Sequence, residues 1–337
     1  MLSLQQKANP FQRNHAIRDA IGQALYDAMA QDDSIHLFGE GAQVKMHYDA
    51  PRIETDFPGR VHTLPIGEDG NTNFAVGTSL LGVKPVVDVI GADFLYRTLD
   101  SICNTASKLD FVTGQEHTIV IRAEFIAGGP TTGQRPEAML THIPGLRVAI
   151  PSRPQHAYGL MRTALETPGV TVLFEDRMIQ DAEFEGQEWQ PGGHIPFGSC
   201  DWAVKGQRGN VTIVTYGVMR QVVEQALKSY PVTKDFYANG NEYRCDVIDI
   251  FSLYPIAWGF ITKMLERTGR LLIVEPDVSY GGVGAEIAAH IAQQLPHVFI
   301  KRLGAPRSTM PASPALHRQM LPSQEAILDA IRNFDKP

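Results

Sequence analysis

Apolar residues recur every fourth position from Ile17 through Ile21 and Leu25 to Met29, with Ala20, Ala24 and Ala28 beside them. That spacing predicts an amphipathic helix, and Asn14 suits its N-cap. Short apolar runs and helix-spaced stretches then alternate. Ile35-His36-Leu37-Phe38 reads as a strand that ends at Gly39-Glu40-Gly41, and Arg60 to Ile66 reads as a second, buried strand. Phe74 to Leu81, apolar and punctuated by glycine, reads as a helix lying close against a sheet. Further strands are expected at Pro85–Ile90, Thr118–Arg122, Leu146–Pro151 and Val170–Phe174. Between them, helices are expected at Gln155–Glu166 and at Phe94–Val112, the latter with Leu95, Leu99, Ile102, Ala106 and Leu109 on one face.

The pattern lapses from about Glu185 to Asn210, where Gly186, Pro191, Gly192, Gly193, Pro196 and Gly198 cluster. It resumes with strands at Asn210–Thr215, Asp246–Ile250 and Arg270–Glu275, and helices at Val218–Tyr230, Ile256–Arg267 and Val283–Leu295. Apolar strands alternating with amphipathic helices predict an α/β fold with mostly parallel sheets covered by helices. The expected division is a first domain over 1–190, a linker over 191–209 and a smaller α/β domain over 210–337. A chain of 337 residues is long enough for both.

Composition narrows the function classes. A net charge of −7 with no run of lysines and arginines argues against a general nucleic-acid binder. Leu80 to Leu95 is the most apolar region, but Lys84, Asp88 and Asp93 interrupt it, so no membrane span is expected. Cys103, Cys200 and Cys245 are widely separated and form no Cys-x-x-Cys pair, which points to three reduced thiols in a cytoplasmic protein. Met1 to Asn14 has basic residues and no acids, as organelle presequences do. It is short and lacks a serine-arginine bias, so the cytoplasm is the expected compartment.

Gly281-Gly282-Val283-Gly284-Ala285-Glu286 has the look of a phosphate-cradling turn before a helix. It lacks the G-x-G-x-x-G spacing and the later acidic residue of a dinucleotide site, so a tight turn bringing the helix onto the sheet is expected. His117, His142 and His156 have no metal-ligand spacing. What remains is a pair of carboxylates, Glu40 and Glu68, each just past a strand of the first domain. Strand ends in an open α/β sheet face the crevice where ligands bind. Two carboxylates there can share one crevice, where desolvation or repulsion raises one pKa; a glutamate that only complements a helix dipole is the plainer alternative.

The order of short motifs resembles that of the β subunit of the thiamine-diphosphate-dependent decarboxylase of 2-oxo acid dehydrogenase complexes. The resemblance runs from Ala16 to about Ile331. It rests on Phe38-Gly39-Glu40, Pro65-Ile66-Gly67-Glu68, Gly70, Phe74-Ala75-Val76-Gly77, and Asp93-Phe94 with Asp100, Asn104 and Ala106-Ser107-Lys108. It continues through His142 to Val148, Tyr216-Gly217, Val247-Ile248-Asp249, Gly269-Arg270 and Gly284-Ala285-Glu286-Ile287. The fold it implies is a pyrimidine-binding transketolase-like domain followed by a transketolase C-terminal domain, the latter mainly building subunit contacts.

The resemblance also implies a mechanism. Glu68 stands where the family's glutamate hydrogen-bonds N1′ of the aminopyrimidine, favouring the imino tautomer whose 4′-nitrogen takes the proton from thiazolium C2. The resulting ylid attacks a 2-oxo acid, and the cofactor stores the electrons left by decarboxylation. Phe94 matches an aromatic that packs against the pyrimidine, and Glu40 a glutamate lining the same pocket. The family's enzymes anchor the diphosphate through a divalent metal on a Gly-Asp-Gly…Asn motif, which is absent here. Mg2+ is therefore expected mainly on a separate α subunit, in a heterotetramer of two α and two β chains.

The chain departs from the family in several places. Anchored on Glu137-Ala138, the usual histidine of the preceding loop is Thr132, and threonine cannot shuttle a proton as histidine does. Ser101 stands where glutamine is common, Phe251 where arginine is common, and Asn71 and Asn73 replace apolar and glycine positions. Arg135 offers a planar fork for a substrate carboxylate or phosphate; a solvent-facing loop arginine is the alternative. The leading expectation is a β subunit that decarboxylates a 2-oxo acid and passes the acyl unit to a lipoyl acyltransferase. The rivals are a split transketolase-like or acyloin-forming carboligase that transfers a two-carbon unit to an aldehyde, and a non-catalytic scaffold for the α chain.

Overall fold

The computed structural model describes residues 17–40, 50–126, 129, 131–179, 191–206, 210–229 and 244–334. The expected N-cap Asn14 lies outside these residues. Helix α1 (Ile17–Gln31) buries the expected stripe, with Ile17, Ile21, Leu25 and Met29 fully covered. It packs beside α6 (Pro154–Glu166). Burying four such side chains removes enough apolar area from water to hold the helix on the sheet, each contributing about 1.5–3 kcal/mol.

The first sheet has seven strands in the order β10-β5-β6-β4-β3-β1-β2. In chain order these are β1 (Ile35–Gly39), β2 (Val61–Thr63), β3 (Lys84–Gly91), β4 (Thr118–Phe125), β5 (Leu146–Ala149), β6 (Gly169–Asp176) and β10 (Ser252–Tyr254). All neighbours are parallel except β10, which runs antiparallel to β5. Thus a strand from the later part of the sequence closes the edge of the first sheet. The second sheet follows the order β12-β11-β8-β9-β7, with β7 (Asp201–Val204), β8 (Val211–Thr215), β9 (Cys245–Asp249), β11 (Arg270–Val278) and β12 (Phe299–Ala305). Only β7 is antiparallel to its neighbour. It forms within the stretch where the glycine and proline content suggests a linker.

Two element boundaries move, and both lie at the crevice. The strand expected over Arg60–Ile66 shrinks to Val61–Thr63, because it is an edge strand and Pro65 has no N–H to continue the ladder. Helix α3 (Glu68–Ser79) then starts six residues before Phe74. Its buried positions are Glu68, Asn71, Thr72, Ala75, Val76 and Ser79, while Phe74 points outward. The long helix expected over Phe94–Val112 is instead a 3₁₀ turn (Ala92–Arg97), a π turn (Ser101–Thr105), a second 3₁₀ turn (Ala106–Lys108) and α4 (Leu109–Thr113). Its apolar face survives, since Leu95, Ile102, Ala106 and Leu109 are all buried. Thr98 binds the Leu95 carbonyl locally, while Asp93 is drawn to the distant backbone of Gly133, and both break the single helical period.

The glycine-rich turn before α9 (Val283–Gln294) packs as expected. A Cβ on Gly284 would lie 2.8 Å from Ile273 of β11 and 2.5 Å from Glu275, so only glycine lets the helix come this close. Glu275, rather than any external anion, accepts the Gly284 N–H at 2.8 Å. All three cysteines are free thiols, and no described helix is long and apolar enough to cross a membrane.

Candidate active site

The strands β6, β4, β3 and β1 are parallel neighbours, so their carboxyl ends lie side by side, and the residues singled out from sequence sit in the segments that follow or flank them. Glu40 follows β1 directly. Its Oε1 accepts the N–H of Gly67 at 2.8 Å and the Asn71 amide at 3.5 Å, so it fixes the turn that enters α3. Asn71 also donates to the Pro65 carbonyl at 3.0 Å. The asparagine in a family apolar position therefore joins Glu40 to this turn.

Glu68 is the first residue of α3, not the last residue of a strand, and it is 7% exposed. Among the described residues no donor reaches its carboxylate. A buried carboxylate at a helix start, with no donor among the described residues, keeps its acceptor capacity unused there. Beside it, Ser101 donates to Asp69, tying α3 to the π turn. That bond gives a local role to a serine where the family commonly has glutamine.

Phe94 lies in the 3₁₀ turn after β3, against which α3 packs. A Cβ at Gly91 would come within 3.2 Å of the Phe94 ring and 2.9 Å of Ile126. The missing side chain is what lets the ring lie over the strand end. Ile90 has φ of 61°, a left-handed backbone that a β-branched residue rarely accepts. The Asp88 carboxylate accepts its N–H at 2.8 Å, and the β3–β4 register shifts between Asp88 and Gly91. Strain and a bulge at this point re-aim the chain that carries Phe94.

The loop from Thr131 to Arg135 hangs on Asp93, whose two oxygens accept the N–H groups of Gly133 at 3.0 Å and Gln134 at 2.8 Å. In the sequence Asp93 stands out only as a charge within the Leu80–Leu95 run and as a motif neighbour of Phe94; a carboxylate directly before the ring was the available signal. Thr132 is half-buried, with Oγ1 turned to Gly129. The Arg135 side chain is 4% exposed and pairs with Glu137 at 2.9 Å and Asp176 at 3.5 Å, its guanidinium over the Phe125 ring at 3.7 Å. It is neither solvent-facing nor presented to the crevice. Burial opposes its charge, yet Glu137 and Asp176 hold its pKa above the ordinary range.

The second domain covers this flank. The Gly129 N–H donates to the Ala312 carbonyl at 3.3 Å, and Met310 and His317 press on Gly133. His317 belongs to α10 (Pro314–Met320). From β11, Asp277 faces the same acids: burial, then the Glu137 charge, push its carboxyl up to about 8. Burial likewise raises Glu137, Glu275 and the Tyr216 phenol. No sequence pattern links these residues, because they come from four separate stretches of chain.

Of the other residues that depart from the family pattern, Asn73 is exposed on α3, and Phe251 is buried with its ring 4.2 Å from that of His156. His156 and His117 are buried and His142 is exposed. His117 pairs with Asp110 at 2.9 Å, while burial and then Arg220 hold the His156 pKa well below its usual value.

Comparison with known proteins agrees with this arrangement. Residues 13–180 match the transketolase pyrimidine-binding domain, and residues 201–327 match the transketolase C-terminal domain. The chain is 29% identical to 2-oxoisovalerate dehydrogenase subunit beta 2, mitochondrial, of Arabidopsis thaliana, over 99% of this chain and 92% of that one. It is 31% identical to the pyruvate dehydrogenase E1 component subunit beta of Gracilaria tenuistipitata var. liui, over 81% of this chain and 83% of the relative. Among solved structures, a split-gene transketolase in an inactive beta4 tetramer superposes with a TM-score of 0.75 at 21% identity, covering 95% of this chain and 98% of that one.

Proposed function

This chain belongs to the transketolase-like family of E1-component β subunits, and from that premise we propose that it is the β subunit of a thiamine-diphosphate-dependent enzyme that decarboxylates a 2-oxo acid and passes on the acyl or aldehyde unit. The observation that carries this reading is Glu68, a buried carboxylate with no donor among the described residues, opening α3 beside the Phe94 turn. The residues present fit the cofactor's pyrimidine: an acceptor for its N1′ and an aromatic ring that a bare Gly91 leaves in place.

When bound, thiamine diphosphate supplies the electron sink that decarboxylation requires. The chain's own residues do the rest of the work assigned here. Glu68 holds the proton shared with pyrimidine N1′, Phe94 orients the ring, and Glu40 keeps the Gly67 turn rigid so that Glu68 stays aimed. Asp93 holds the Thr131–Arg135 loop at the substrate side, where Thr132 is the residue offered to the donor. Arg135 acts behind the loop, already paired with Glu137 and Asp176.

The diphosphate and its Mg2+ belong to an α chain, in a heterotetramer of two α and two β subunits, as the missing metal motif implies. The exposed surface of α3 and of the turn before it supports such a partner. Ile66 is 86% exposed, Phe74 52% exposed, and a Cβ at Gly70 or Gly77 would meet nothing. These flank Glu68, and exposed apolar residues clustered about a site are what a partner covers. A cytoplasmic setting fits the three free thiols.

The deciding experiment co-expresses this chain with its α partner and measures thiamine diphosphate binding and 2-oxo acid decarboxylation, wild type beside Glu68→Ala. Loss of turnover in the variant is expected. Equal turnover sinks the catalytic assignment and leaves the scaffold role. Offering lipoamide and an aldehyde in parallel separates acyl transfer from carboligation.

A further inference from the structure

Strand β3 changes character at Asp88. Up to that residue it keeps register with both neighbours, pairing Asp88 with Gly39 of β1 and with Arg122 of β4. Two residues on, Ile90 adopts a φ of 61°, the one positive φ at a non-glycine among the described residues. A β-branched side chain makes that conformation costly, so it persists only where its surroundings hold it. The chain then passes Gly91, where a Cβ would lie 3.2 Å from the Phe94 ring, and enters the turn Ala92–Arg97. Phe94 follows Ile90 by only four residues, so a change of φ at Ile90 swings the half-buried ring.

What holds Ile90 is Asp88. One carboxylate oxygen accepts the Ile90 N–H at 2.8 Å, closing the two-residue turn that aspartate forms with its own backbone. The carboxylate is itself fixed. It is 6% exposed, and its other oxygen lies 3.9 Å from the Arg122 guanidinium. Arg122 donates to Glu175 of β6 from Nε at 2.8 Å and from a terminal nitrogen at 2.5 Å. From the opposite side β1 comes so close that a Cβ on Gly39 would stand 2.9 Å from the Asp88 Cβ and carbonyl oxygen. A buried ion cluster of this kind is a weak source of stability. It does give one carboxylate a fixed direction, and that direction is toward the strained residue.

We infer that Asp88 is a positioning residue for the pyrimidine site: by holding Ile90 in its left-handed conformation it sets where the Phe94 ring lies, with Arg122 and Glu175 keeping it aimed. Asp88 acts through the backbone of residues 88–91 and not by touching the cofactor. The inference rests on the thiamine-diphosphate reading, in which Phe94 packs on the pyrimidine. Its effect therefore falls on binding of the pyrimidine end and spares the diphosphate end, which belongs to the α chain.

The test uses the assembled αβ enzyme and calorimetric binding of two probes, thiamine diphosphate and magnesium diphosphate, the second having no pyrimidine. Asp88→Ala removes the acceptor, and Asp88→Asn keeps it without the charge. Asp88→Ser, a weaker cap of the same turn, replaces the first variant if that fails to assemble, with a loss between the two. Expected is a thiamine diphosphate affinity lower by about 10-fold in Asp88→Ala and within about 3-fold of wild type in Asp88→Asn. Magnesium diphosphate should bind all of them equally. In an Ile90→Gly background, where glycine accepts the left-handed φ unaided, the Asp88→Ala loss should shrink to less than about 2-fold. Wild-type thiamine diphosphate affinity in Asp88→Ala overturns the inference while leaving the cofactor assignment intact. An equal loss in Asp88→Asn overturns it too, since that marks the ion cluster and not the turn. So does a loss that persists beside Ile90→Gly, or one matched by magnesium diphosphate, which marks a general disturbance of the fold. A wild-type enzyme that binds no thiamine diphosphate overturns the reading beneath it.

Discussion

The two flanks of the crevice are built on opposite principles. At the β1–β2 edge, Glu68 has no donor among the described residues, Ile66 is exposed just before α3, and α3 itself exposes Phe74 and two uncrowded glycines. At the β4–β6 side, every charge the loop carries is absorbed inside the chain: Arg135 by Glu137 and Asp176, Asp93 by two backbone amides. The second domain then seals that side through Ala312, Met310 and His317. One flank pairs its charges within this chain, and the other exposes apolar side chains beside a carboxylate that has no donor among the described residues. The difference shows which half of the site the chain decides alone.

The comparison is most sharply broken at Glu68. Glu68→Gln keeps the shape but cannot hold the shared proton, and turnover of the αβ enzyme should fall by about 10²–10⁴-fold. Thermal stability should hardly change, because no side-chain bond of Glu68 to the described residues is lost. A large stability loss with intact turnover would show that the flanks had been assigned the wrong way round.

Arg135→Met should do the reverse. It leaves Glu137 and Asp176 buried without their cation, a loss of about 3–5 kcal/mol readable in urea unfolding. Thiamine diphosphate affinity should change little. A variant as stable as wild type would mean that the sealed flank does not depend on this ion pair.

Asp277 tests the sealed flank by pH. Its carboxyl is favoured in the protonated form when folded, up to about 8, against 3.8 when free. A raised folded-state pKa stabilises fully below the unfolded value and loses that contribution as pH rises through the folded one. Wild type should thus lose up to about 1.4 kcal/mol per pH unit between these values relative to Asp277→Asn, whose side chain does not titrate. Thermal midpoints of both proteins at acid and alkaline pH should converge below the window and diverge above it. Parallel curves would place Asp277 in contact with water instead.

The smallest effect is expected at Gly77. Alanine there meets open space inside a helix, so Gly77→Ala should stabilise the free chain by about 0.5–1 kcal/mol. It should also weaken pairing with the α chain if that surface is the docking face, measurable as a higher dissociation constant. Unchanged pairing would remove α3 from the interface.

Much of this was readable in the linear pattern. The stripe from Ile17 to Met29, the β-branched runs and the lapse before residue 210 are local periodicities, and local sterics with burial set them. The motif around Glu68 was legible for the same reason, as a short contiguous segment. Its place at the start of α3 was not, since the end of β2 depends on how few residues an edge strand can pair. The broken helix after Phe94 escaped notice because its buried face keeps helical spacing while its backbone does not.

The sequence by itself determined the α/β class and the family, and it singled out Glu68 and Phe94 as the residues proposed here for the cofactor. Only the tertiary structure decided that Arg135 turns inward, that Asp93 carries the loop and that His317 packs on that loop from a distant stretch of chain. Those outcomes depend on which side chains meet across 40 residues (Asp93 to Gly133) or 184 (Gly133 to His317), and on which charges must be neutralised where water is excluded. Sequence spacing carries no record of such meetings, because long-range packing and desolvation act only once the chain has folded.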